Sequence, residues 1–150
     1  MPISIRKATA ADVEALVTLL ADLFSIEADF HPDAERQRRG LALLLAAPAQ
    51  GLVLVAERGG AVVGMVTVQL VVSTAEGAQS GLVEDMVVTS GERGRGVGRR
   101  LLEVAESWAR ERGATRLQLL ADRENGPALR FYERMGWRGT RLVCLRRGGM

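Results

Sequence analysis

The chain has 150 residues, 47% hydrophobic and 25% charged, with a net charge of +2, which suits one domain burying its own core and argues against a surface dedicated to nucleic acid. His31 and Cys144 are its only histidine and cysteine, so an intramolecular disulfide is excluded and a catalytic metal lacks its best ligands. No apolar signal core opens the sequence and no apolar run approaches the roughly 20 residues of a membrane helix, so a soluble protein without membrane spans is expected.

Ile3 to Thr9 alternates apolar and polar residues as a half-buried strand does, and Thr9 then offers a hydroxyl to cap a helix over about Ala10 to Leu23. Val13, Leu16, Val17 and Leu20 form its apolar stripe. Past the interruption "SIEADFHPD", residues 34–47 resume a helical pattern that stops near Pro48. The β-branched runs 52–57 and 61–72, separated by Arg58, Gly59 and Gly60, predict a hairpin, and residues 73–81 a polar loop. A buried strand follows over Leu82 to Val88, then the loop "RGRGVGRR" from Arg93 to Arg100. The next helix has Val97, Leu101, Val104, Ala105 and Trp108 on one face until Gly113 ends it. A strand over 116–121, a helix over roughly Asn125 to Met135 and a last strand over 140–147 complete the order. No repeat, linker or shift in composition marks a boundary, so the reading is one mixed α/β domain over 1–150.

A strand that passes through glycines into a helix presents successive backbone N–H groups at the positive end of the helix dipole, which is a phosphate site. Gly94, Gly96 and Gly98 remove the Cβ atoms that would hold phosphate away, and Arg93, Arg95, Arg99 and Arg100 supply charge; the bland alternative is a tight solvated turn. A Walker loop needs Gly-Lys-Ser/Thr, yet Lys7 is the only lysine, and a dinucleotide fingerprint fails because Arg99 stands where its last glycine belongs.

The pattern Arg-x-x-Gly-x-Gly from Arg93 to Gly98 resembles the pyrophosphate-binding motif of the GNAT superfamily of acyl-CoA-dependent N-acyltransferases. Asn125, Ala128, Phe131, Tyr132, Gly136 and Trp137 are similar to the family's second motif, and the element order above is also the family's. The resemblance implies the GNAT fold: a central, mostly antiparallel twisted sheet with a splayed parallel strand pair, flanked by about four helices. It implies an N-acetyltransferase moving an acetyl group from acetyl-CoA, as co-substrate and without a metal, to a primary amine by direct attack in a ternary complex. The alternative is a non-catalytic acyl-CoA sensor of the same fold, and a nucleic-acid surface built on "RGRGVGRR" ranks last for want of interleaved aromatics. A homodimer is implied only by family habit, and a cytoplasmic location suits the lone thiol.

The resemblance also implies roles. The pantetheine arm would run along the backbone of Met86, Val87 and Val88 as an added strand, where N–H groups could serve an oxyanion. Arg93, Gly94, Arg95, Gly96, Val97, Gly98 and Arg99 would hold the pyrophosphate, with Asn125, Ala128 and Phe131 touching the cofactor from the last helix. Tyr132 would be the general acid: a phenol with pKa of about 10 can protonate a departing thiolate whose conjugate acid lies near about 8.5. Asn125 lies seven residues earlier, nearly two turns and about 10 Å along one helix face, and suits a helix cap equally well.

Deprotonating the amine calls for a carboxylate. Glu84 and Asp85 interrupt an apolar strand, and strand alternation sends them to opposite faces, so one of the two should serve. The resemblance favours Glu84, since some family members place a Glu-Asp pair here and use this strand's acid near the amine. For the acceptor, Glu27, Asp29, Asp33 and Glu76 would suit a cationic amine, whereas Arg36, Arg38 and Arg39 would suit a phosphate or carboxylate, unless "ERQRR" is a solvated helix face. His31, before Pro32, reads as a base or an exposed turn residue.

Overall fold

The computed structural model describes residues 1–26 and 31–150, and the chain divides into two compact units, Met1–Leu119 and Leu120–Met150. In the first unit, β1 (Ile3–Lys7), β2 (Gly51–Arg58), β3 (Ala61–Ser73), β4 (Ala78–Val88) and β5 (Ala114–Leu119) form one sheet in the order β1-β2-β3-β4-β5. The first three pairings are antiparallel and β4–β5 is parallel, the sheet type expected. Gly59 and Gly60 take φ of 58° and 82° between β2 and β3, values open to glycine, which is why the Arg-Gly-Gly signal made a hairpin turn.

Helices α1 (Val13–Ile26), α2 (Ala34–Leu45) and α3 (Val97–Glu111) cover the sheet. Val53 and Val55 of β2, Met65 of β3 and Val87 of β4 form one core with Leu16, Val17, Leu19 and Leu20 of α1 and Leu41 of α2. The opposite face belongs to α3, which buries Val97, Leu101, Leu102, Ala105, Trp108 and Ala109. Gly64 and Gly81 lie under that helix, since a Cβ at Gly64 would meet Leu101 and Val97, and one at Gly81 would approach Ala109. The unbroken apolar reading of β2 follows from being covered on both faces.

Several expected boundaries move. A 3-10 turn, Ala10–Asp12, precedes α1 with Thr9 at its N-cap as expected, and the Asp12 carboxylate accepts from the Thr9 N–H at 2.8 Å while Arg6 donates to both its oxygens at 2.8 and 2.9 Å. Arg6 holds Asp12 down to about 2. The polar loop over 73–81 shrinks to residues 74–77, because Ser73 and Ser80 are buried within the ladder and Gly77, at φ 65°, closes the turn.

The second unit holds α4 (Gly126–Arg134), which buries no residue fully. The strand expected over 140–147 is absent. Leu142, Val143 and Leu145 are exposed, and an alternating segment with no partner ladder has nothing to satisfy its backbone groups but water. Among the described residues no helix is long and apolar enough to cross a membrane.

Candidate functional site

The site begins with an irregularity in β4. Val66 pairs with Met86 and Val68 with Val83, so the two residues Glu84 and Asp85 stand opposite the single Thr67. This β-bulge reverses the alternation of the strand. Ahead of it Gly81 lies toward α3, and beyond it Val87 enters the core with α1. Glu84 keeps the phase of the first half and Asp85 adopts that of the second, so both side chains reach the α1–α2 face. The expectation that alternation would separate them is therefore corrected: both line one cleft of about 450 Å³, between α1, α2 and strands β2 to β4.

The extra residue leaves a backbone donor without a ladder carbonyl, and Thr67 takes it. Its hydroxyl accepts from the Asp85 N–H at 3.1 Å and sits 3.1 Å from Asp85 Oδ2, to which it donates. Burial pushes the Asp85 carboxyl up to about 6, against the pull of the Thr67 hydrogen bond and with a smaller rise from the charge of Glu84. Glu84 is exposed at the cleft. Two neighbouring carboxylates thus occupy different surroundings, one half-buried and one exposed.

The same stretch of β4 is open on its other edge. Parallel pairing with β5 runs from Gln79–Ala114 to Val83–Leu119 and stops, while β4 continues to Val88. Residues 84–88 therefore have β3 on one side and no β5 partner on the other, the splayed parallel pair that was expected. Gly81 pairs with Leu117, and a Cβ on Gly81 would overlap Leu117 Cδ2.

Beyond Val88, Arg93 folds back and donates from Nε to the Val88 carbonyl at 3.1 Å, and Glu92 is held by Arg58 at 3.1 Å. Gly94 and Gly96 have φ of 78° and 82°, the left-handed region, and among the described residues nothing lies within 4 Å of where a Cβ would stand on either. Gly96 is the N-cap of α3, with no side chain capping the first turn. The first-turn N–H groups therefore face an open, anion-favouring surface. Val97 is buried against the core and Gly98 lies within the helix, so the open backbone of the loop is at Gly94 and Gly96. Among the described residues Arg95 and Arg99 make only long ion pairs, each 3.9 Å, with Glu92 and Glu103, and Arg100 is committed to the Ile3 carbonyl at 2.6 Å. These backbone groups and loosely held arginines suit the pyrophosphate of a CoA-type ligand.

In the second unit, Asn125 caps α4, its side chain accepting from the Ala128 N–H at 3.2 Å. Tyr132 is half-buried, with Phe131 edge-on at 5.3 Å between ring centroids and Trp137 at 5.7 Å. Gly136, at φ 92°, turns the chain so that the Trp137 N–H reaches the Tyr132 carbonyl at 2.9 Å. The residues of the second motif thus build one aromatic helix end.

The acceptor candidates separate. Glu27 and Asp29 lie outside the described residues. Asp33 caps α2 by accepting from the Arg36 N–H at 3.1 Å, and Glu76 accepts from Thr115 at 3.2 Å; neither lines the cleft. His31 is exposed. Arg38 is taken by Glu14, with two bonds of 2.8 Å, and Arg39 is exposed, whereas Arg36 lines the cleft. Sequence reasoning missed Thr67 and the three glutamines Gln37, Gln50 and Gln69 of the cleft wall. Thr67 and Gln69, polar residues inside an otherwise apolar run, were the available signals.

Comparison with known proteins gives concordant findings. A model of the acetyltransferase (GNAT) family matches residues 14–137. The chain is 32% identical over 139 residues to an aminoalkylphosphonate N-acetyltransferase of Salmonella typhimurium, covering 92% of this chain and 87% of that protein. It is 47% identical over 55 residues to a streptothricin acetyltransferase of Streptomyces lavendulae, a match covering 37% of this chain and only 29% of that protein. Among solved structures, AAC(6')-Iy in complex with a bisubstrate analogue of CoA superposes with a TM-score of 0.83 at 18% identity, covering 100% of both chains. At that identity the likeness speaks to the fold.

Proposed function

The chain belongs to the acetyltransferase (GNAT) family, an acyl-CoA-dependent N-acetyltransferase by that membership, and from this premise we propose that it acetylates a primary amine bound in the cleft beside the β4 bulge. The observation that carries this reading is the stretch 84–88. It joins an unpaired strand edge, suited to an extended amide-bearing arm, to a raised carboxyl a residue or two away, and it leads directly into the glycine loop. The family match over residues 14–137 takes in residues of both units, which supports the reading of 1–150 as a single domain.

In this reading the backbone of Met86, Val87 and Val88 holds the pantetheine arm, and Gly94 to Arg99 hold the pyrophosphate. An amine reacts only when neutral, so its proton must go to a base before or during attack on the thioester carbonyl. Sequence reasoning favoured Glu84 as that base; the surroundings favour Asp85. A carboxylate at about 6 is ionised at neutral pH yet basic enough to take a proton, and Thr67 fixes its orientation. Glu84, at the wet side of the cleft, suits attraction of the incoming ammonium. The new C–N bond forms as the C–S bond breaks, and the Tyr132 hydroxyl returns a proton to the departing sulfur. Support for Tyr132 comes from its place in the second motif beside Phe131 and Trp137.

The test is thiol release from acetyl-CoA with polyamines, amino sugars, amino acids and peptides as acceptors, alongside calorimetry of CoA binding. Turnover on one class is the expected result. Tight CoA binding with no turnover on any class would favour a sensor, and absence of CoA binding would overturn the reading of the glycine loop.

A further inference from the structure

The cleft beside the bulge holds charges of both signs. Glu84 and Asp85 lie on its β4 wall, and Arg36 lines it from α2. Helix α2 carries three arginines within four residues, and the structure separates their uses. Arg38 is locked by two 2.8 Å bonds to Glu14 of α1, and Arg39 is exposed away from the cleft lining. Arg36 is the one of the three that lines the cleft; its side chain is largely exposed, and its guanidinium has among the described residues only a long contact, Nε to Asp33 Oδ2 at 3.6 Å. Among the described residues, most of its five N–H donors have no partner.

Among the described residues, the rest of the lining is apolar side chains, glycines and the neutral amides of Gln37, Gln50 and Gln69, with no carboxylate beyond Glu84 and Asp85. An acceptor that is only cationic would meet the acids and leave its far end near a guanidinium of like charge. An acceptor with an anionic group at that end would pair with the planar fork of Arg36, the donor geometry that matches phosphonate and carboxylate oxygens. A cleft of about 450 Å³ admits a small molecule carrying both groups. Resting on the acetyltransferase reading above, we infer that the acceptor is a small zwitterion whose amine lies at Glu84 and Asp85 and whose anionic group pairs with Arg36.

The experiment compares propylamine with its terminal phosphonate, carboxylate and amine derivatives, as acceptors for the full chain, for Arg36→Gln and for Arg39→Gln. The two anion-bearing amines are expected to exceed propylamine and the diamine in kcat/KM by about tenfold or more. Arg36→Gln should lower kcat/KM for them by about 10- to 100-fold, mostly through KM, and collapse the preference, the scale of one charge-assisted bond. Arg39→Gln should keep it. A wild-type preference for propylamine or the diamine, or an equal loss on all four amines in Arg36→Gln, would overturn the inference, and the ratio of phosphonate to carboxylate decides which anion fits. If no amine releases thiol, the acetyltransferase reading is what fails. Calorimetry of the same four amines with CoA-saturated protein still decides the role of Arg36: zwitterion binding lost in Arg36→Gln upholds it, and indifference to the substitution removes it.

Discussion

The two halves of β4 are built from one strand and do opposite work. From Ala78 to Val83 the strand is held between β3 and β5, with Gly81 admitting Leu117 and α3 at close range. From Glu84 to Val88 it keeps only β3, carries two acids and ends in the Arg93 brace. The bulge at Glu84 and Asp85 is the boundary. The extra residue stands where a doubly paired strand becomes an edge paired to β3 alone, and it brings two carboxylates to one side of the sheet where regular alternation would allow one.

Substitutions in the two halves should therefore fail differently. The largest effect is expected from Asp85→Asn, which removes the proposed base: thiol-release turnover should fall by about 10²-fold or more, with the acidic limb of the pH–rate profile, placed near pH 6, flattened. Stability should move the other way. The folded protein holds the Asp85 proton to higher pH than the unfolded chain does, so between about 4 and 6 the native state binds more protons and stability falls as pH rises. Above that window ionised Asp85 costs on the order of 3 kcal/mol, and urea titrations of wild type and Asp85→Asn across it should converge at low pH. A turnover loss in Glu84→Gln as large as that in Asp85→Asn would restore Glu84 to the base role.

Tyr132→Phe should reduce turnover by about 10²-fold while leaving the Kd for CoA, read by calorimetry, within about twofold. Unchanged turnover would remove Tyr132 from the acid role. Gly96→Glu forces a side chain into φ 82° and sets a negative charge where the pyrophosphate would lie; CoA affinity should drop by about tenfold or more. Gly81→Ala probes the other half: Leu117 must shift, for about 1–3 kcal/mol of stability by thermal melt, while kcat per folded molecule holds. If Gly81→Ala instead lost activity before stability, the division of β4 into a clamp and an edge would not stand.

Much of this was legible because local rules and global fold agree. The glycines at 59 and 60, the α3 stripe from Val97 to Trp108 and the Asn125 cap each follow from a short stretch of chain. The bulge was not, because the pairing partner decides whether two residues oppose one, and Thr67 lies 18 residues from Asp85. The strand expected over 140–147 failed for the converse reason: its alternation is real, but Leu142, Val143 and Leu145 have no ladder to join. Arg36, Arg38 and Arg39 were indistinguishable in sequence, and only the approach of Glu14 from α1 sorted them.

The Arg93 bond to the Val88 carbonyl has a mechanical consequence. It ties the end of the strand edge to the loop that follows, so the distance between the two grips proposed for CoA is set by one short braced run of chain. Once either half of the ligand is seated, the other is held at high local concentration before its own contacts form, and the two weak grips multiply. Loosening the brace would turn one bivalent hold into two independent ones.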